Sequence, residues 1–185
     1  MSAVDNSAEV LKVAQEAVYT TQICEFVGES IFERMTEAEF GEMFEGDRCE
    51  PRVRPWIRDG ISWHLRDAGD PELMRDLAPQ DMVVASNFLC HMKPSEAENC
   101  LRNIAGIVKP GGYLFVTGID LDVRTKVVRD LCLRPVPELI EEIHEGDPVL
   151  RRDWPFEWWG LEPLNKKRDY WQMRYAAVFW VNEGD

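Results

Sequence analysis

The chain has 185 residues, one domain's worth, and its 45% hydrophobic and 10% aromatic content can fill a core, which excludes global disorder. A formal net charge of −13 repels a phosphate backbone, so nucleic acid is excluded as a partner. No apolar run approaches the ~18 residues of a membrane span. The five cysteines (Cys24, Cys49, Cys90, Cys100 and Cys132) form no C-x-x-C pair. With no signal peptide, they read as reduced thiols of a cytoplasmic protein that holds no metal.

In chain order, "SAVD" (Ser2 to Asp5) reads as a short strand. "NSAEVLKVAQEAVY" then places Val10, Leu11, Ala14, Ala17 and Val18 on one helical face, with Asn6 and Glu9 as its cap. "TEAEFGEMF" repeats the cap logic at Thr36 and Glu39, ahead of Phe40, Met43 and Phe44. "GISWHL" (Gly60 to Leu65) reads as a strand. "DMVVAS" (Asp81 to Ser86) is a continuous apolar run, the pattern of a strand covered on both faces.

The clearest helix follows. "SEAE" (Ser95 to Glu98) is a capping box, and Ala97, Cys100, Leu101, Ile104, Ala105 and Val108 recur at helical spacing. Lys109-Pro110-Gly111-Gly112 stops the helix and hands over to "YLFVTG" (Tyr113 to Gly118). Strand, helix, tight turn and strand make a right-handed βαβ unit of a parallel sheet. "DLDVRTKVVRDL" and "VPELIEEIHEG" read as helices, and "WPFEWWGLEPL" as irregular. "YWQMRYAAVFWV" (Tyr170 to Val181) reads as a closing strand at or near a sheet edge.

Open parallel sheets bind ligands beyond the carboxyl ends of their strands. Asp5, Asp67 and Asn87 occupy such ends. Each also has a plain structural reading: an acid before a helix, a loop acid and a turn former. Phe88 is either a pocket wall or core. Adjacent Cys90 and His91 lack a second ligand pair at metal spacing, so they read as packing residues. Ser30 lacks the flanking glycine of a nucleophile elbow. Trp154, Trp158 and Trp159 read as a loop packed over the sheet, with a substrate mouth as the alternative.

Three stretches carry a family resemblance: "AVDNSAEVLKVAQEAVY", "MTEAEFGEMFEGDRCEPRVRPWIRDGISWHLRDAGD" and "DMVVASNFLCHMKPSEAENCLRNIAGIVKPGGYLFVTG". They resemble the cofactor domain of class I S-adenosylmethionine (SAM)-dependent methyltransferases, and among these the CheR-type chemotaxis enzymes. The resemblance covers roughly residues 2 to 118. It implies a Rossmann-like α/β sheet flanked by helices, with "SAVD", "GISWHL", "DMVVAS" and "YLFVTG" together in one parallel sheet. It also implies SAM as cofactor, Asp5 on the ribose hydroxyls, Asp67 at the adenine amine, and Asn87 with Phe88 at the cofactor's polar groups and pocket wall. The family's Cys-Arg-Asn after the fourth strand is here Ala85-Ser86-Asn87, and a following Tyr is replaced by His91.

The resemblance starts at the family's second strand. The expectation is therefore one partial methyltransferase domain over residues 1–185, an N-terminally truncated fragment without the first strand and its glycine-rich loop. Its activity is read as methyl transfer to an unidentified acceptor: a carboxylate on a protein or a small molecule, as the CheR resemblance implies, or a different acceptor such as a small metabolite. The rival reading is an inactive remnant that serves as a protein-interaction module. Strand edges left open by the absent first strand imply self-association.

Overall fold

The computed structural model describes residues 1–19, 35–77, 79–146 and 162–182. The chain divides into two compact units, Met1–Asp67 and Ala68–Asp185. Cys24, Ser30 and the three tryptophans singled out above lie outside the described residues.

In the first unit, strand β1 (Ser2–Asp5) pairs in parallel with β4 (Ser62–Leu65), in register from Ser2 opposite Ser62 to Asp5 opposite Leu65. Helix α1 (Ala8–Glu16) follows β1. Its cap is Ser7, not Asn6: the Ser7 hydroxyl accepts the Val10 N–H at 3.3 Å. Ala17 turns left-handed at φ 55° and ends the helix, so Val18 leaves the predicted apolar face and bridges to Arg52. Leu11 and Ala17 are buried, whereas Val10 is 52% exposed. The Thr36–Glu39 capping box of α2 (Glu37–Met43) forms as read, and buried Phe40 stacks on Phe44 with centroids 5.3 Å apart. Two-residue strands β2 (Phe44–Glu45) and β3 (Arg52–Val53) pair antiparallel, and α3 (Pro55–Arg58) leads into β4.

The second unit opens with α4 (Pro71–Leu77) and is organised by β5 (Gln80–Ser86), α5 (Pro94–Gly106) and β6 (Val108–Thr117). Proline starts α5, and the Lys93 N–H donates to Glu96 Oε2 at 3.3 Å. The cap therefore sits two residues before the predicted Ser95. The predicted apolar stripe, Ala97, Cys100, Leu101, Ile104, Ala105 and Val108, is buried throughout. Helix α6 (Leu121–Asp130) is capped by Asp120, whose Oδ1 accepts from Asp122 N at 2.8 Å and Val123 N at 3.2 Å. The chain continues through β7 (Arg134–Pro135), α7 (Ile140–Glu145), α8 (Trp171–Tyr175) and β8 (Val178–Trp180).

The βαβ unit forms as expected: β5 and β6 run parallel, joined by α5. Register shifts between Gln80 and Met82, because Lys109-Pro110-Gly111-Gly112 bulges out of β6. Gly112 sits where there is no room for a side chain. A Cβ there would lie 2.7 Å from the Asp81 carbonyl oxygen, 2.8 Å from Val108 Cγ1 and 2.9 Å from the Lys109 carbonyl oxygen. Its carbonyl accepts the Val181 N–H at 2.9 Å, and Gly111 N donates to Val181 O at 2.9 Å. The turn does not stop the helix as expected: α5 already ends at Gly106, capped by Ile107, and the glycine pair lies within β6, which it ties to the chain beyond β8.

Three expectations are corrected. The segment Tyr170 to Val181 is not one edge strand. Its first part is α8, and Phe179, fully buried, belongs to β8, which lies between β6 and β7 in the order β5-β6-β8-β7. β8 runs antiparallel to β6, so the sheet is mixed. The run Asp81 to Ser86 is not covered on both faces. Met82 is 55% and Val84 65% exposed, beside Tyr113 at 41%, while Ala85, Leu114 and Val116 on the opposite face are buried. The four predicted strands do not share one sheet. β1 pairs only with β4, and β5 only with β6, because each is joined to its partner by its own crossover and no described strand bonds to their other edges.

No helix among the described residues is long and apolar enough to cross a membrane. Two glycine substitutions separate crowding from freedom. Gly112→Ala should lower stability by about 1–3 kcal/mol, the usual cost of forcing atoms into packed space. Gly106→Ala, at the end of α5 with nothing within 4 Å of the added Cβ, should be neutral or stabilise by up to about 1 kcal/mol. Urea unfolding of both variants measures the contrast.

Candidate cofactor-binding site

Asp5 and Asp67 come together in the first unit. Asp5 is the last residue of β1, and Asp67 follows β4 by two residues, so both stand at carboxyl ends of adjacent parallel strands. The Arg66 N–H donates to the Asp5 carbonyl at 3.1 Å, which fixes the two chain exits side by side. Half-buried Asp5 accepts the Ser7 N–H on Oδ1 at 2.7 Å. Its second oxygen has no partner among the described residues. Asp67 is exposed.

Asn87 and Phe88 lie in the second unit, at the carboxyl end of β5. Asn87 is exposed and left-handed, φ 58°, a conformation that asparagine tolerates better than most residues. Its N–H donates to the Thr117 carbonyl at 3.2 Å, so β5 and β6 stay joined to their last residues. The Ser86 and Thr117 hydroxyls are 2.8 Å apart. Half-buried Phe88 precedes a 3-10 turn, Leu89–His91, whose Leu89 is buried. Burial pushes the Cys90 thiol above its ordinary pKa, opposite to what an activated nucleophile requires.

A polar cluster that the sequence reading missed lies in the second unit. Arg174 donates from Nε to Glu162 Oε1 at 2.8 Å, from Nη2 to Oε2 at 3.1 Å, and from Nη1 to Asp122 Oδ1 at 2.6 Å. Tyr175 Oη donates to Glu162 Oε1 at 2.6 Å. The Arg174 hydrogen bonds hold the Glu162 carboxyl down at about 2. Arg124, only 4% exposed, donates to the carbonyls of Val116 at 3.3 Å and Arg174 at 2.7 Å. Among the described residues no carboxylate bonds to it, and burial draws its pKa down to about 10. The side chains bonded to Glu162 and Asp122 reach across 12 to 52 residues and share no periodicity, so no local signal could have joined them. Their placement at α6, α8 and the end of β6 marks them as a clamp on the sheet. Among the described residues no cluster of His, Cys, Asp and Glu suits a metal ion.

Residues 1–122 match the model of the CheR methyltransferase, SAM binding domain. That is about two thirds of the chain, from β1 into the first turn of α6, and the chain belongs to this family. S-adenosylmethionine is the cofactor of the domain. No curated protein matches the chain. Within the first unit the side chains present have chemistry that suits an adenosyl group: a carboxylate oriented by Ser7, whose second oxygen has no partner among the described residues, and a second acid on the neighbouring strand exit.

The clamp carries a pH signature. The Glu162 pKa falls from its ordinary 4.5 to about 2, so its stabilisation is fully present above 4.5 and is lost as pH drops towards about 2. Glu162→Gln should melt at a lower temperature than the wild type at pH 7. The gap should close as melts are repeated at falling pH through that window.

Proposed function

We propose that the chain works as a SAM-dependent methyltransferase whose acceptor is a carboxylate, on a protein or a small molecule. The observation that carries the cofactor half is the pairing of Asp5 and Asp67 on adjacent strand exits, with Asp5 Oδ1 committed to Ser7 and its other oxygen without a partner among the described residues. Asp5 would accept hydrogen bonds from the ribose hydroxyls, the logic of acidic residues in dinucleotide sites. Asp67 would accept from the adenine amine. Asn87 would both donate and accept at the cofactor's polar groups, with Phe88 as an apolar wall.

The acceptor class follows from the resemblance to CheR-type enzymes, which methylate protein glutamates, and from chemistry. Bound SAM supplies an electrophilic methyl on a sulfonium. A carboxylate is already anionic at neutral pH and needs no general base, so the protein's task is to orient and to exclude water. No catalytic residue is assigned.

The reading extends to a Rossmann-like sheet of the class I methyltransferase type. In the family, the first strand lies between the second and the fourth and carries the glycine-rich loop at the methionine end of SAM. β1 and β5 correspond to those two strands, and each has an edge that pairs with nothing among the described residues. The same edges favour a second reading, a protein-interaction module or self-association, because Met82, Val84 and Tyr113 leave apolar surface beside one of them.

Calorimetry with SAM separates the two readings. The chain alone should bind weakly, since no Gly-x-Gly loop is present in its sequence. Supplying a strand with that loop should raise affinity, and Asp5→Ala should then lower it at least about tenfold, the loss of one or two good polar contacts. Undiminished affinity in Asp5→Ala would contradict the ribose assignment. A monodisperse, cooperatively melting monomer in sedimentation would contradict self-association through the open edges.

A further inference from the structure

Two left-handed turns face one another at the carboxyl ends of β5 and β6. Asn87 has φ 58° and Gly118 φ 62°. They are in closest contact: a Cβ on Gly118 would fall 2.5 Å from Asn87 Cα, 2.6 Å from its Oδ1 and 2.9 Å from its N. The Asn87 carboxamide therefore occupies the space that any side chain at 118 would take. Backbone and hydroxyl contacts fix the rest of the junction, Asn87 N to Thr117 O at 3.2 Å and Ser86 Oγ to Thr117 Oγ1 at 2.8 Å. The amide oxygen's position is thus set by what residue 118 lacks.

We infer that Gly118 is a positioning residue for the cofactor, acting through Asn87. This rests on the assignment of Asn87 to the SAM site. With hydrogen at 118, the carboxamide lies against the β6 exit and the Asn87 backbone keeps its turn. With a methyl there, Asn87 must withdraw its backbone and swing its amide away, and the donor and acceptor it offers SAM are displaced together. The left-handed φ adds a second reason for glycine, since a β-carbon is disfavoured in that region even in open space. Crowding, though, is what links the residue to the ligand. A glycine needed for its turn alone would affect stability and leave the amide where it is.

A double-mutant cycle tests this. Ligand-detected NMR titration of SAM onto the full chain measures affinity in the wild type, Gly118→Ala, Asn87→Ala and the double variant. Each single change should weaken binding about tenfold, as for one lost polar contact. The double variant should bind no more weakly than the worse single one. Additive losses, or unchanged affinity in Gly118→Ala, overturn the inference while leaving the site in place. Unchanged affinity in Asn87→Ala, or no binding by the wild type, overturns the site assignment and the inference with it. If Gly118→Ala unfolds before titration, the wild type decides. Nuclear Overhauser contacts between Gly118 Hα and the Asn87 side-chain amide, with a shift of that amide on adding SAM, support the inference, and the absence of either overturns it.

Discussion

The close approach of β5 and β6 is the constraint on which the second unit depends. Their parallel pairing needs the Asp81 carbonyl and the Gly112 backbone nearer than any side chain permits. Gly112 also passes its carbonyl to Val181, so the same residue admits β5 on one side and secures the chain beyond β8 on the other. With the pair in place, α5 covers one face through an unbroken stripe from Ala97 to Ala105. Val127 and Val128 of α6 add to the buried core. The opposite face keeps Met82 and Val84 in solvent. Covering the exposed part of each would contribute roughly 1–1.5 kcal/mol.

The same pairing holds to its far end. Hydrogen bonds persist to Thr117 and Asn87, so the two strands exit together and turn left-handed together. In the first unit β1 and β4 repeat the arrangement on a smaller scale, with Asp5 and Asp67 at their exits. In the proposed site, Asp5 would combine a structural and a ligand-binding role. One carboxylate oxygen anchors the turn into α1 through Ser7, and this bond orients the other. The clamp of Arg174, Glu162, Tyr175 and Asp122 serves a different end, and it holds α8 and α6 together around buried Arg124.

Most of the local structure could be read from sequence, because it is governed by neighbours within four residues. The stripe of α5 and the Thr36–Glu39 box came out as expected, since periodicity and capping are local rules. The failures have a shared cause. A continuous apolar run such as Met82 to Ala85 states that a strand is suited to burial, not that both of its faces find a cover. Tyr170 to Val181 is rich in β-formers, yet the left-handed Tyr170 and the packing of Tyr175 make its first half helical. The cap shifts at Ser7 and Lys93 are errors of one and two residues, within the usual uncertainty of helix ends. The placement of Asp5, Asp67 and Asn87 at strand exits was legible from strand-end logic, and their proposed role rests on the family resemblance. Gly118 was visible as the end of a strand, but its contact with Asn87 is made across thirty-one residues of chain and had no local signal.

The central claim is that the strand exits of this chain are where SAM binds. Amide chemical-shift mapping during a SAM titration tests it most directly. The account predicts shifts at Asp5, Ser7 and Asp67, and at Asn87, Phe88 and Gly118. Shifts confined to the groove lined by Pro71, Met74, Arg102 and Gly106, or no shifts at saturating ligand, would contradict it.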